Sequence, residues 1–146
     1  MSGLESLYQE LILDHARERH GFGLQEGAAA ESHQLNPTCG DEVTLQVHLD
    51  PDGLHIRAVA WEGHGCSISQ ASTSCLSDLA AGLTTTELQQ LADEFRTVIR
   101  SRGALEFDEE RFGDAAAFSG VSRYIARVKC AMLPWVAAEE AISRLG

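Results

Sequence analysis

Three cysteines and one aspartate occupy positions from which they could do chemistry together. Cys39 and Asp41 share the stretch NPTCGD, in which Pro and Gly predict a tight turn. Cys66 lies in GHGCS and Cys130 in RVKCA, and no pair of these cysteines has the CxxC spacing typical of zinc modules. Thiolates at the ends of loops can bind a metal ion or carry sulfur, and a carboxylate can bind the same metal ion.

Local charge favours the thiolate form at two of these cysteines. A small-residue helix is predicted to begin near Cys66. A C-terminal helix is predicted to begin close to Cys130, because Pro134 is tolerated best near the start of a helix. The N-terminus of a helix carries partial positive charge, and Arg127 and Lys129 add full positive charge beside Cys130.

Spacing alone leaves two interpretations of these residues open. A Cys-x-Asp turn can present sulfur and oxygen to one centre, and three cysteines with one carboxylate would complete a tetrahedral zinc shell. Three unrelated, buried thiols would give the same sequence. Cys75 differs from the others because it falls within the small-residue helix among apolar neighbours, so it is predicted to pack in the core.

The elements that must position the cysteines follow from periodicity. Residues 3–19 carry apolar side chains at helical spacing and predict an amphipathic helix. Residues 20–38 contain three Gly and no period, and predict a loop that leads into the NPTCGD turn. Alternating apolar residues predict two antiparallel strands over residues 43–49 and 54–60, joined by a DPDG turn. The TTTE sequence at 84–87 resembles a capping box and predicts another amphipathic helix.

Composition limits the class of protein. The chain has 146 residues, of which 44% are hydrophobic, and this suits one domain with its own core. Eleven Lys and Arg against 22 Asp and Glu give a formal net charge of −11, which disfavours nucleic acid and membrane as partners and favours a basic protein surface. No run of eighteen apolar residues occurs, and the first ten residues lack the pattern of a signal peptide, so we expect a cytoplasmic protein with reduced cysteines.

Histidines offer a further set of possible ligands. His48 and His55 lie in the polar phase of the predicted strands, so both are expected to be solvated. His64, two residues before Cys66, is the only histidine expected to approach a metal held by the cysteines, where it could support or briefly replace a ligand.

Three motifs give the sequence a family resemblance. NPTCGDE, WEGHGCSISQASTS and RVKCAMLPW resemble, in order and spacing, the cysteine motifs of the U-type iron-sulfur cluster assembly proteins, and among these the SufU branch. LYQELILDH is similar to the opening helix of the family, so the resemblance extends over one domain at residues 1–146. Residues 83–118 resemble the insertion that separates SufU from the IscU scaffolds, and Lys129 stands where IscU-type proteins have His.

The resemblance implies a fold, a cofactor and partners. The expected fold is α+β, with a small three-stranded antiparallel sheet covered by helices. Cys39, Asp41, Cys66 and Cys130 would bind one Zn²⁺ ion. Cys39 would accept persulfide sulfur from a SufS-type cysteine desulfurase, stimulate that enzyme, and pass the sulfur on to downstream iron-sulfur scaffold proteins. The chain would thus act as a zinc-dependent sulfurtransferase.

Two other functions are weighed against this one. An IscU-like scaffold would assemble a two-iron cluster on the same ligands, with a transient iron-sulfur cluster as its cofactor, but Lys129 and the insertion favour the sulfurtransferase. A purely structural zinc module is disfavoured by Asp41, because closed structural sites ordinarily use Cys or His in all four positions. Residues 19–23 depart from the Pro-Arg-Asn-Gly type of sequence usual in the family, so the loop that often touches the partner is expected to dock differently.

Overall fold

The computed structural model describes residues 3–37 and 40–145, and every statement about the fold concerns this part of the chain. Its helices and strands are listed in chain order as α1 (Gly3–Glu18), β1 (Ala30–Asn36), β2 (Asp41–Leu49), β3 (Ile56–His64), α2 (Ser67–Ala80), α3 (Thr85–Ile99), α4 (Glu109–Phe112), a 3₁₀ helix (Gly113–Arg123) and α5 (Ile125–Ser143). Within these residues, no helix combines the length and the apolar character needed to cross a lipid bilayer.

The three strands form one antiparallel sheet in the order β1-β2-β3. Asn36 pairs with Asp41 at the β1–β2 turn, and Glu42 pairs with His64 across β2 and β3. Helix α5 packs on β1 and β2, α2 packs on β3, and α1 packs on α2. The predicted α+β class, a three-stranded antiparallel sheet covered by helices, is therefore confirmed.

Strand β1 replaces part of a predicted loop. The prediction of a loop over residues 20–38 is wrong for Ala30–Asn36, which pairs with β2 along its whole length. The inward side chains of this strand include Ser32, which is buried, and Gln34, whose amide donates to Glu140 of α5 at 2.6 Å. Because these inward residues are polar, the strand shows no hydrophobic alternation.

The predicted hairpin of β2 and β3 forms, although β3 runs over Ile56–His64 and not over 54–60, and both faces of the hairpin are partly covered. His48, expected to be solvated, is buried, and its Nε2 lies 3.0 Å from Gln46 Oε1. The same Gln46 oxygen accepts the backbone N–H of Gln25 at 3.0 Å, so the segment before β1 lies over this face. His55, by contrast, is exposed beside Asp52, as expected.

Helix α5 begins earlier than predicted. It starts at Ile125, so the expectation that Cys130 lies at a helix N-terminus is wrong, and Cys130 lies within the helix instead. Pro134 also lies inside α5. Proline has no N–H, so Pro134 donates no hydrogen bond within the helix. The helix tolerates this local loss and does not start at the proline.

The core joins the sheet to the helices of the C-terminal half. Trp61 and Trp135 are fully buried, and Phe95 of α3 stacks on Trp135 with ring centroids 4.4 Å apart. Cys75 is buried in this core, as predicted, and desolvation raises the pKa of its thiol. A neutral, buried thiol of this kind is not poised for reaction.

Candidate metal centre

Asp41 is the first residue of β2 and directly follows the β1–β2 turn. The Gly40 N–H donates to the Asn36 carbonyl at 2.8 Å, and Gly40 has a left-handed φ of 73°, which glycine adopts without strain. Strand β2 begins at the next residue, where its first side chain turns inward and Asp41 becomes fully buried. A buried carboxylate needs hydrogen bonds or a cation to offset the loss of water.

The start of helix α2 supplies one of these hydrogen bonds. Cys66 is the N-cap residue of α2, and its backbone N–H donates to Asp41 Oδ1 at 2.8 Å. Its Sγ lies 3.7 Å from Asp41 Oδ2. The carboxylate therefore satisfies an N–H at the helix start and faces the thiol of the same residue. The prediction that α2 begins near Cys66 is confirmed.

Gly65 lets the hairpin and the helix approach each other. A Cβ at this position would fall within contact distance of the Asp41 carboxylate and 2.8 Å from Ser69 Oγ. The φ of Gly65 is 154°, which side chains rarely adopt. Ser69 in turn donates to the Cys66 carbonyl at 3.1 Å. Sequence reasoning missed the part played by Gly65, although the Gly-rich stretch before Cys66 was the available signal.

Cys130 brings a second thiol to this point from helix α5. It is 6% exposed, and its Sγ lies 3.8 Å from the Ala126 carbonyl one turn earlier. One carboxylate oxygen of Asp41 and the sulfurs of Cys66 and Cys130 all lie within 4.8 Å of one another. The structure thus brings together three of the four predicted ligands. The fourth, Cys39, lies outside the described residues.

The donor set fits a divalent metal ion. Two sulfurs bound to one zinc ion at about 2.3 Å and at a tetrahedral angle lie about 3.8 Å apart. The donor atoms here lie within 4.8 Å of one another, so each pair would have to approach by about 1 Å at most to bind one ion. A divalent cation would also compensate the charge of a carboxylate that is fully removed from water. Two thiols and one carboxylate from β2, α2 and α5 are therefore suitable residues to hold such an ion.

His64, Arg127 and Lys129, the other residues expected near the centre, are all exposed. His64 is exposed, and its Nε2 lies 3.0 Å from Glu42 Oε1, while the three converging donors do not include it. Arg127 and Lys129 are exposed on the first turns of α5, and the Arg127 guanidinium lies 5.2 Å from the ring centroid of Tyr124.

A small three-stranded antiparallel sheet covered by helices, with a cysteine and aspartate cluster beside its first hairpin, defines a class of α+β proteins with a candidate metal centre. The model of the NifU-like N terminal domain matches residues 7–131. The chain belongs to this family, the U-type iron-sulfur cluster assembly proteins.

Comparisons with individual proteins agree on the family and divide on the role. The chain is 37% identical over 145 residues to the iron-sulfur cluster assembly scaffold protein IscU of Streptococcus pyogenes serotype M1, covering 99% of this chain and 87% of that protein. It is 32% identical over 144 residues to the zinc-dependent sulfurtransferase SufU of Bacillus subtilis (strain 168), covering 98% and 94%. A solved NifU-like protein (N-terminal) from Brucella abortus has a TM-score of 0.83 at 26% identity, covering 99% of this chain and 97% of that one.

Proposed function

We propose that this chain is a zinc-dependent sulfurtransferase of the SufU type, made of one domain over residues 1–146. It would accept persulfide sulfur from a SufS-type cysteine desulfurase and pass it to downstream scaffold proteins for iron-sulfur cluster assembly. The observation that carries this proposal is the convergence of Asp41, Cys66 and Cys130, of which Asp41 follows Cys39 by two residues in the sequence.

Chain connectivity supports Cys39 as the fourth ligand. A single residue separates Cys39 from Asp41, so their Cα atoms are at most about 7 Å apart in any conformation. Three thiolates and one carboxylate complete a tetrahedral zinc shell. A bound zinc ion would keep the thiolates deprotonated without oxidising them, because zinc has no redox chemistry.

The position of Cys39 also suits the role of sulfur acceptor. Cys66 begins α2 and Cys130 is buried inside α5, so neither can move far without disturbing a helix. Cys39 lies in the NPTCGD stretch, whose Pro and Gly predict a turn, and a turn residue is free of that constraint. The Cys39 thiolate would attack the outer sulfur of the desulfurase persulfide, forming a new S–S bond. The partner's own S–S bond breaks and its cysteine leaves as a thiolate, so no oxidant is needed.

The scaffold function is the second candidate, favoured by the IscU name of the Streptococcus relative. Two features support the sulfurtransferase instead. Lys129 precedes Cys130, and an ammonium group has no lone pair with which to bind a metal ion, whereas an imidazole there could serve as a cluster ligand. We also propose that residues 83–118, which contain α3, α4 and the first part of the 3₁₀ helix, are the SufU-type insertion.

The test is a coupled assay with a SufS-type desulfurase, cysteine and the zinc-loaded protein. We expect alanine production to rise several-fold on addition of the protein, and Cys39→Ala to abolish the rise. Cys75→Ala is the matched control, since it removes a thiol that is buried in the core, and it should retain the stimulation. Undiminished stimulation by Cys39→Ala would reject Cys39 as the acceptor. A coloured iron cluster without any stimulation would favour the scaffold.

A further inference from the structure

A second group of metal-binding side chains lies where α1 meets α2. One ring nitrogen each of His15 and His20 and a carboxylate oxygen of Asp78 lie within 4.8 Å of one another. Asp78 is twelve residues after Cys66, which corresponds to about 18 Å along helix α2 at 1.5 Å per residue. This group is therefore separate from the cysteine cluster.

His15 is held firmly by two hydrogen bonds. It is 3% exposed, its Nδ1 lies 2.7 Å from Ser74 Oγ, and its Nε2 lies 2.9 Å from Asp114 Oδ2. Whichever ring nitrogen bound a metal ion, the other would keep its partner on α2 or on the 3₁₀ helix. A hydrogen bond to the second nitrogen fixes the tautomer and the ring orientation of metal-binding histidines.

His20 is positioned by the same serine and by two carboxylates. Its backbone N–H donates to Ser74 Oγ at 2.9 Å, its Nδ1 lies 2.7 Å from Asp78 Oδ2, and its Nε2 lies 2.9 Å from Glu18 Oε1. The carboxylates of Asp78 and Glu18 therefore both lie within hydrogen-bond distance of this imidazole, and their negative charge favours a cation there.

The neighbouring arginines do not compete for this position. Arg17 pairs with Asp14 at 2.6 Å, and the Arg19 guanidinium lies 4.2 Å from the centroid of the Phe22 ring. A cavity of about 190 Å³ borders His15 and Asp78, so water has room beside these two side chains.

We propose that His15, His20 and Asp78 bind a second divalent transition-metal ion, with water completing its coordination. Two imidazoles and a carboxylate suit Zn²⁺, Fe²⁺, Co²⁺ or Ni²⁺ better than Mg²⁺ or Ca²⁺, which prefer oxygen ligands alone. The ion would join α1 and the loop after it to α2, in the same segment that departs from the usual family sequence. This proposal does not depend on the function of the cysteine cluster.

The experiment counts zinc in the full chain after saturation with excess Zn²⁺ and removal of free ions. The wild-type protein should bind one more zinc ion per chain than either His20→Arg or Asp78→Asn. His20→Arg is informative because arginine keeps a positive charge between Asp78 and Glu18 but cannot bind a metal ion. His55→Arg is the control, since His55 Nδ1 lies 2.6 Å from Asp52 Oδ2 in a comparable pair, and it should match wild type.

Two further readouts separate a metal site from a hydrogen-bond network. Excess Zn²⁺ should raise the Tm of wild type more than that of His20→Arg, because an ion that binds only the folded state stabilises it. When the protein is loaded with Co²⁺ in place of Zn²⁺, His20→Arg should bind one cobalt ion fewer than wild type. The thiolate-to-cobalt absorption should be the same in both proteins, because the lost ion has no sulfur ligand. Equal zinc counts in wild type and His20→Arg would overturn the proposal, as would a lost cobalt equivalent that shows thiolate absorption.

Discussion

At the scale of single residues, Asp41 links the fold to the candidate centre. One of its oxygens accepts the N–H at the start of α2, and the other faces the Cys66 thiol. The Cys-x-Asp spacing indicated Asp41 as a candidate ligand, and the family resemblance implied the full ligand set. The close approach that Gly65 permits was not predictable, because it depends on how β2 and α2 meet in space and not on any local pattern.

Substitution of Gly65 should show how closely the centre depends on this approach. Gly65→Ala places a Cβ against the Asp41 carboxylate, so we expect it to lower the free energy of unfolding by about 1–3 kcal/mol and to reduce zinc content. Gly27→Ala is the matched control, since Gly27 also has positive φ, 85°, but a Cβ there meets nothing within 4 Å. Denaturant unfolding and metal analysis compare the two. Equal losses of stability with full zinc content in both would contradict the role given to Gly65.

At the scale of elements, periodicity predicted α1, α3 and the β2–β3 hairpin, whose apolar faces meet the core. It missed β1, because the inward residues of that strand include Ser32 and Gln34, which bond to other side chains and do not form an apolar face. The start of α5 was misplaced because proline was expected only in the first turn of a helix. Pro134 instead lies buried inside α5, where packing stabilises the helix despite the missing N–H. Local rules fail here where tertiary contacts supply the missing stabilisation.

His48, buried on the second face of the sheet, should make the stability of the protein depend on pH. Burial lowers the pKa of His48, whose Nδ1 finds no hydrogen-bond partner among the described residues. The unfolded chain therefore takes up this proton more readily, and the stability present above the unfolded pKa, near 6.5, is lost as the pH falls. His48→Phe removes this loss, so the difference in unfolding free energy between about pH 7 and about pH 5 should shrink.

His55 on the same hairpin provides the control of opposite sign. Its hydrogen bond with Asp52 raises its pKa, so its contribution to stability is present at low pH and is lost as the pH rises through the folded value. His55→Phe should therefore increase the difference in unfolding free energy between about pH 7 and about pH 5, which His48→Phe should decrease. Denaturant unfolding at the two pH values measures both. A shift in the same direction for the two variants would contradict these assignments.

At the scale of the whole molecule, the centre arises from three distant parts of the chain. Residues 41, 66 and 130 meet only because β2, α2 and α5 pack together. No spacing rule could establish this meeting, and the family resemblance was needed to predict it. The net charge of −11 belongs to this scale as well, because it suits a partner with a basic surface and disfavours nucleic acid.

The central claim is that Asp41, Cys66 and Cys130, together with Cys39, hold one zinc ion. X-ray absorption at the zinc edge tests it most directly, on His20→Arg loaded with one equivalent so that only the cysteine centre is observed. We predict a shell of three sulfurs at about 2.3 Å and one oxygen at about 2.0–2.2 Å. A shell made mainly of nitrogen and oxygen, with one sulfur or none, would contradict the account.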